Sequence, residues 1–147
     1  MPDKVAISNV QFHFLKVRVT LKERQRLKAF LLDIFKKEKT QLAALQFIFC
    51  SDEHLLGINQ QFLQHNYYTD IVTFNLANKN KPVDGEIYIS IDRVRDNATS
   101  LQQYVYIEMH RVIFHGALHL CGYKDKLAKD IALMRQRENH YLKLYYK

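Results

Sequence analysis

Two histidines four residues apart, His115 and His119, stand in the segment YVYIEMHRVIFHGALHLCG (residues 104 to 122), with Glu108 and Arg111 upstream and Asp125 downstream. At about 100° per residue, Glu108, Arg111 and His119 fall at about +20°, −40° and +40° from His115, so all four share one face of a helix. The rest of the segment is apolar around its circumference, as expected of a buried helix. Ionisable groups there are costly unless paired or bound to a metal, and imidazoles one turn apart can present nitrogens to one ion. The spacing HxxxH alone is weak, since surface helices carry it by chance. What strengthens it is Gly122, placed to end the helix in a left-handed conformation and return the chain so that Asp125 reaches the same ion. Read as HxxxHxxGxxD, the set predicts a metal centre of His115, His119 and Asp125. Its fourth position stays open for water, as in catalytic rather than structural zinc sites. Asp125 has a second reading as N-cap of the next helix, compatible with the first. Cys121 lies about 120° from His115 around the axis and reads as a core thiol. His13, His54, His65, His110 and His140 show no comparable spacing.

The spacing also fits the metzincin pattern HExxHxxGxxH, but the position of its general base is Gly116. Glycine exchanges no proton with water or a leaving amine, which makes peptide hydrolysis the weaker reading. Phosphodiester hydrolysis asks less of the protein, because a metal can stabilise phosphate charge and activate water. A net charge of +7 favours polyanionic partners in the same direction.

To position such a centre the chain has 147 residues, 48% hydrophobic and 25% charged, which predicts one folded domain over 1–147. No stretch approaches the roughly 20 apolar residues of a membrane span, no signal-like N-terminus is evident, and two cysteines, Cys50 and Cys121, read as free thiols. The expectation is a cytoplasmic protein without membrane association. Periodicity predicts a strand over 11–17, a helix over 21–38, a strand over 45–50, and a helix capped by Ser51 or Asp52 and running to about 62. Strands over 71–76 and 86–91 follow, joined antiparallel by the loop ANKNKPVDG. Helices are expected over about 94–99, 101–120 and 127–145, the last with Leu127, Ile131, Met134, Leu142 and Tyr145 packed on the core. The fold class is α+β: one domain with an approximately four-stranded mixed sheet packed by helices, and the metal site at the end of a buried central helix.

The run His115-Gly-Ala-Leu-His119-Leu-Cys-Gly122-Tyr123-Lys124-Asp125 resembles the HGxLHLxGYDH signature of the YbeY family of bacterial endoribonucleases. Ile58-Asn59 with Phe62, the run Thr69 to Phe74, and Gly85-Glu86-Ile87 resemble that family's LNxxFR, TDVLSF and GDI stretches, in the same order. The resemblance implies a single-strand-specific, metal-dependent endoribonuclease with one zinc ion, other divalent metals being compatible. It also implies a role in small-subunit ribosomal RNA 3′-end maturation and quality control, with ribosomal RNA and the small ribosomal subunit as partners. Three departures stand out. Asp125 occupies the place of a third histidine, Lys124 that of an aspartate, and Leu63 that of an arginine implied to assist at the phosphate. A neutral aliphatic cannot stabilise developing charge, so His65 or Arg111 is expected to supply the missing cation. The alternative from another class is a non-catalytic, metal-stabilised ribosome assembly factor.

Overall fold

The structure, a computed structural model, describes residues 5–65 and 67–147. Alternating apolar residues build a four-stranded sheet of β1 (Val10–Phe14), β2 (Leu42–Cys50), β3 (Ile71–Asn75) and β4 (Val83–Ser90), in the order β1-β2-β4-β3. β1, β2 and β4 run parallel, and β3 pairs antiparallel with β4 at one edge. The helices are α1 (Arg24–Lys37), α2 (Asp52–Leu63), α3 (Ile91–Ser100), α4 (Val105–Leu120) and α5 (Ala128–Tyr145). The period of two sorts the sheet faces. Leu45, Phe47 and Phe49 of β2 and Ile87 and Ile89 of β4 enter the main core with α1, α4 and α5. Cys50 and Val72 meet Leu55 and Ile58 of α2 in a smaller cluster that also takes Phe74 and Tyr88. The Oγ atoms of Ser51 and Ser90 accept from the backbone N–H of His54 and Arg93, both at 3.2 Å, and so cap α2 and α3.

Fold class and strand pairing agree with the sequence reading, whereas several boundaries move. Lys16, Glu23 and Gln102 adopt positive φ of 56°, 52° and 52°, which breaks the chain where periodicity alone continues it. β1 therefore stops at Phe14, α1 starts at Arg24, and α4 starts at Val105 rather than 101. β4 begins inside the stretch read as a loop, because Asn75 Oδ1 accepts from the N–H of both Ala77 (3.0 Å) and Asp84 (3.3 Å) and shortens the turn. The last helix also departs: Met134, Tyr141, Leu142 and Tyr145 are buried, but Leu127 and Ile131 are 59% and 50% exposed. The first turn of α5 projects past the core rather than onto it.

Glycine at 116 has a packing reason. A Cβ there would lie 2.9 Å from Ile71 Cδ1 and 3.0 Å from two carbons of Ile87. α4 thus presses onto β3 and β4 where a zinc protease would carry its glutamate.

On the opposite side of α4, His110 is 8% exposed, and its Nδ1 meets the Tyr146 hydroxyl at 2.5 Å. Burial and the nearby Arg26 guanidinium push its pKa down to about 4, against a smaller opposing effect of Glu23. In the unfolded chain the ring takes its proton near 6.5, so acid favours unfolding between those values. The contribution, about 3 kcal/mol at most, is complete above about pH 6.5 and is lost as pH falls towards 4. Melting temperature measured across this range should therefore slope, and His110→Gln should flatten the slope.

Candidate metal centre and its cleft

Gly122, at φ 105°, ends α4 as anticipated. Its N–H donates to the His119 carbonyl at 3.0 Å and that of Tyr123 to the Leu118 carbonyl at 3.1 Å, the paired bonds of a Schellman motif. The chain folds back sharply, and Asp125 Oδ2 arrives 3.1 Å from Nε2 of His119 and 3.2 Å from Nε2 of His115. Donor atoms of all three residues lie within 4.8 Å of one another, and they form the single group of this kind among the described residues. Leu127, not Asp125, is the N-cap residue of α5. Cys121 packs against the core, its thiol pushed up to about 12 by burial.

The donor set fits a metal ion. Ligands about 2.0–2.1 Å from a tetrahedral ion stand roughly 3.3 Å apart, close to the two observed spacings. The chemistry of His115 fits as well: its Nδ1–H donates to Glu138 Oε2 at 2.7 Å, which leaves the Nε2 lone pair for the ion. Burial opposes a charge on His115, but the Glu138 hydrogen bond and the carboxylates of Glu138, Asp125 and Asp70 outweigh it and raise its pKa.

Glu138 escaped the sequence reading. It lies on α5, 23 residues from His115, and is 4% exposed. The signal available was one acid on the buried stripe of an amphipathic helix. Arg111 serves this acid: its Nη1 donates to Glu138 Oε1 at 3.3 Å and to Asn139 Oδ1 at 2.9 Å, while its Nε lies 3.5 Å from Glu108 Oε1. Arg111 thus also pairs with Glu108, with which it shares a helix face, although the contact is too long for a hydrogen bond, and burial raises the pKa of Glu108 against the pull of Arg111. Arg135, exposed on α5, also reaches Glu138 Oε1 at 3.4 Å.

His65, Arg111, His115, His119 and Asp125 all line one cleft of about 970 Å³. Three form the candidate ligand cluster, Arg111 is tied to it through Glu138, and His65 lines the cleft from the segment after α2. Asn59, 1% exposed, holds that segment: its Nδ2 donates to the Tyr67 carbonyl at 2.9 Å and its carbonyl accepts from the His65 N–H at 3.1 Å. The His65 and Tyr67 rings stack, with Tyr67 Oη 3.0 Å from His65 Nδ1. Leu63 faces the same cleft, as do Arg135 and Lys126, cations that the sequence reading passed over. Asp70 also lines it, held by Asn97 Nδ2 at 3.2 Å; burial raises its pKa more than His115 lowers it.

Fold and site together define an α+β domain in which a cluster of three candidate metal ligands faces a cleft lined by ionisable groups of both signs. The sequence model of endoribonuclease YbeY matches residues 9–146, and the chain belongs to that family. An endoribonuclease YbeY of Cytophaga hutchinsonii is 48% identical over 84% of this chain and 87% of its own length. That of Amoebophilus asiaticus is 38% identical over 92% of each. A solution structure from Thermotoga maritima shares the fold with a TM-score of 0.62 and 29% identity, covering 92% of this chain and 89% of the other. No helix of the described residues is long and apolar enough to cross a membrane.

Proposed function

We propose that the chain is a metal-dependent endoribonuclease acting as one hydrolase domain. The cleft supports this reading, since it joins the three-ligand cluster to cations and exposed apolar side chains within one wall-to-wall space. His115, His119 and Asp125 would hold zinc, the ion best matched to two imidazoles and a carboxylate, with other divalent metals as competitors. The chemistry such an ion supplies when bound is positive charge towards the scissile phosphate and acidification of water. The protein's own groups do the rest. Glu138 fixes the His115 tautomer, and Arg111, 16% exposed and committed to Glu138 and Asn139, acts as a positioning residue. His65, Lys126 and Arg135, which line the cleft, are then the groups that would face phosphate in place of the arginine absent at Leu63, Arg135 while also reaching Glu138 Oε1 at 3.4 Å. Leu63, Tyr67, Leu101 and Ile131 are 40–58% exposed at the walls, a surface that suits unstacked bases and hence single strands. The same reading extends to maturation of small-subunit ribosomal RNA, association with the small ribosomal subunit and a cytoplasmic location; family membership supports the first, and the net charge of +7 supports an RNA partner.

RNA cleavage by the purified, metal-loaded protein tests the reading. His65→Ala should slow cleavage by roughly tenfold to a thousandfold if its ring donates to the developing charge, at unchanged metal content. Leu63→Arg should accelerate it. Arg111→Ala should lower melting temperature and metal affinity together with the rate. A protein that binds zinc and ribosomal RNA but never cuts would instead be the assembly factor, and metal-dependent digestion of casein with RNA left intact would restore the protease reading.

A further inference from the structure

A second cavity, of about 510 Å³, lies on the other side of α4. Tyr106 and His110, two of its lining residues, point about 140–180° away from His115 around the helix axis. Its volume is that of a small-molecule site rather than a surface dimple.

Three properties meet in its walls. The first is exposed aromatic surface: Tyr106 is 54% exposed and stacks on Tyr104 with centroids 5.7 Å apart, and Tyr146 is 42% exposed. The second is charge, with three cations, Lys22, Arg26 and Arg95, against one carboxylate, Glu23, which pairs with Arg26 at 3.2 Å. The third is unspent hydrogen bonding. The Tyr145 hydroxyl is buried without a hydrogen-bond partner among the described residues, and His110, whose Nδ1 meets the Tyr146 hydroxyl, lines the same cavity.

An apolar ligand would leave the cations and polar groups unused, and a lone anion would leave the aromatic surface unused. A flat heteroaromatic ring bearing a phosphate uses all three, since every base has a π-face for tyrosine and edge groups for hydrogen bonds. We propose that this cavity is a nucleotide-binding site, taking a base against Tyr106 and its phosphate on Arg95 and Lys22. The nucleotide is either one residue of a single-stranded RNA or a free mononucleotide. The site is distinct from the metal cleft and does not rest on the cleavage reading.

Calorimetric titration in chelator, where no RNA is cut, tests it with AMP, UMP and a short unstructured oligoribonucleotide. Tyr106→Ala and Arg95→Glu should each weaken binding roughly tenfold, with the melting temperature unchanged, because both side chains are exposed. Weakened binding of the oligonucleotide alone assigns the site to an RNA strand, and weakened binding of the mononucleotides as well assigns it to nucleotides in general. Ring proton signals of His110 should shift on titration of the parent, which keeps the test decisive should Tyr106→Ala melt early. Unchanged affinities in both variants, or no shift at His110, would overturn the proposal. So would variants that keep their RNA affinity but no longer sediment with small ribosomal subunits, since the cavity would then receive a protein.

Discussion

His115→Ala and His119→Ala should each reduce metal content from about one ion per chain to a small fraction, and RNA cleavage should fall with it. The site offers three protein donors, so loss of one leaves two, too few to hold a divalent ion in an open coordination shell. The fold should tolerate the change, because both rings face the cleft and neither belongs to the buried apolar core. Asp125→Ala removes a donor that sits about 3.1–3.2 Å from both imidazoles and should also weaken binding. Asp125→His is expected to retain zinc or bind it more tightly, since it exchanges a carboxylate for an imidazole at a borderline-soft ion. Metal analysis of the purified variants, with circular dichroism as a control for folding, reads the outcome. One ion per chain in both histidine variants would dismiss the centre, and normal binding by Asp125→Ala would remove that residue from it.

Glu138→Ala should be nearly as damaging, although Glu138 touches no metal. Its carboxylate accepts from His115 at 2.7 Å and neutralises Arg111 at 3.3 Å, so truncation strips an orientation from one and a partner from the other. Losing a carboxylate behind a ligating histidine typically costs about 10–100-fold in metal affinity. Leaving Arg111 with only the neutral Asn139 and the longer pairing to Glu108 in a largely buried place adds destabilisation on the order of 3–5 kcal/mol. Glu138→Gln separates the two effects. The amide oxygen can still accept the Nδ1–H but carries no charge, so tautomer control survives while Arg111 loses its counterion. Metal affinity by competition with a chelator and melting temperature, measured on both variants, give the split. If Glu138→Ala binds metal as tightly as the parent, the contact with His115 has no part in holding the ion.

Much of the centre was legible because its parts are local. The positions of His115 and His119 on one helix face follow from 3.6 residues per turn, and the arrival of Asp125 follows from a glycine that can adopt the left-handed cap. The strand–helix–strand beginning and the antiparallel β3–β4 pair were likewise readable, since burial on one face imposes a period of two or of 3.6. Leu127 and Ile131 misled for the same reason: their spacing is that of a packed stripe, but both are at least half exposed, Ile131 as part of the cleft lining. Positive φ at Lys16, Glu23 and Gln102 moved three boundaries without any glycine to mark them.

By itself, then, the sequence determined which three residues come together as candidate ligands, the fold class and the basic character of the chain, all of which depend on residue type and spacing. Only the tertiary structure decided that Glu138 stands behind His115, that Arg111 serves Glu138, and that Leu63 and His65 share a cleft with the ligands. It alone showed that a side chain at 116 would press on Ile71 and Ile87, and that the far face of α4 borders a second cavity. Each of these joins residues from different elements, and their distances depend on how helices and sheet come to rest against one another. No periodicity within a single element encodes that arrangement.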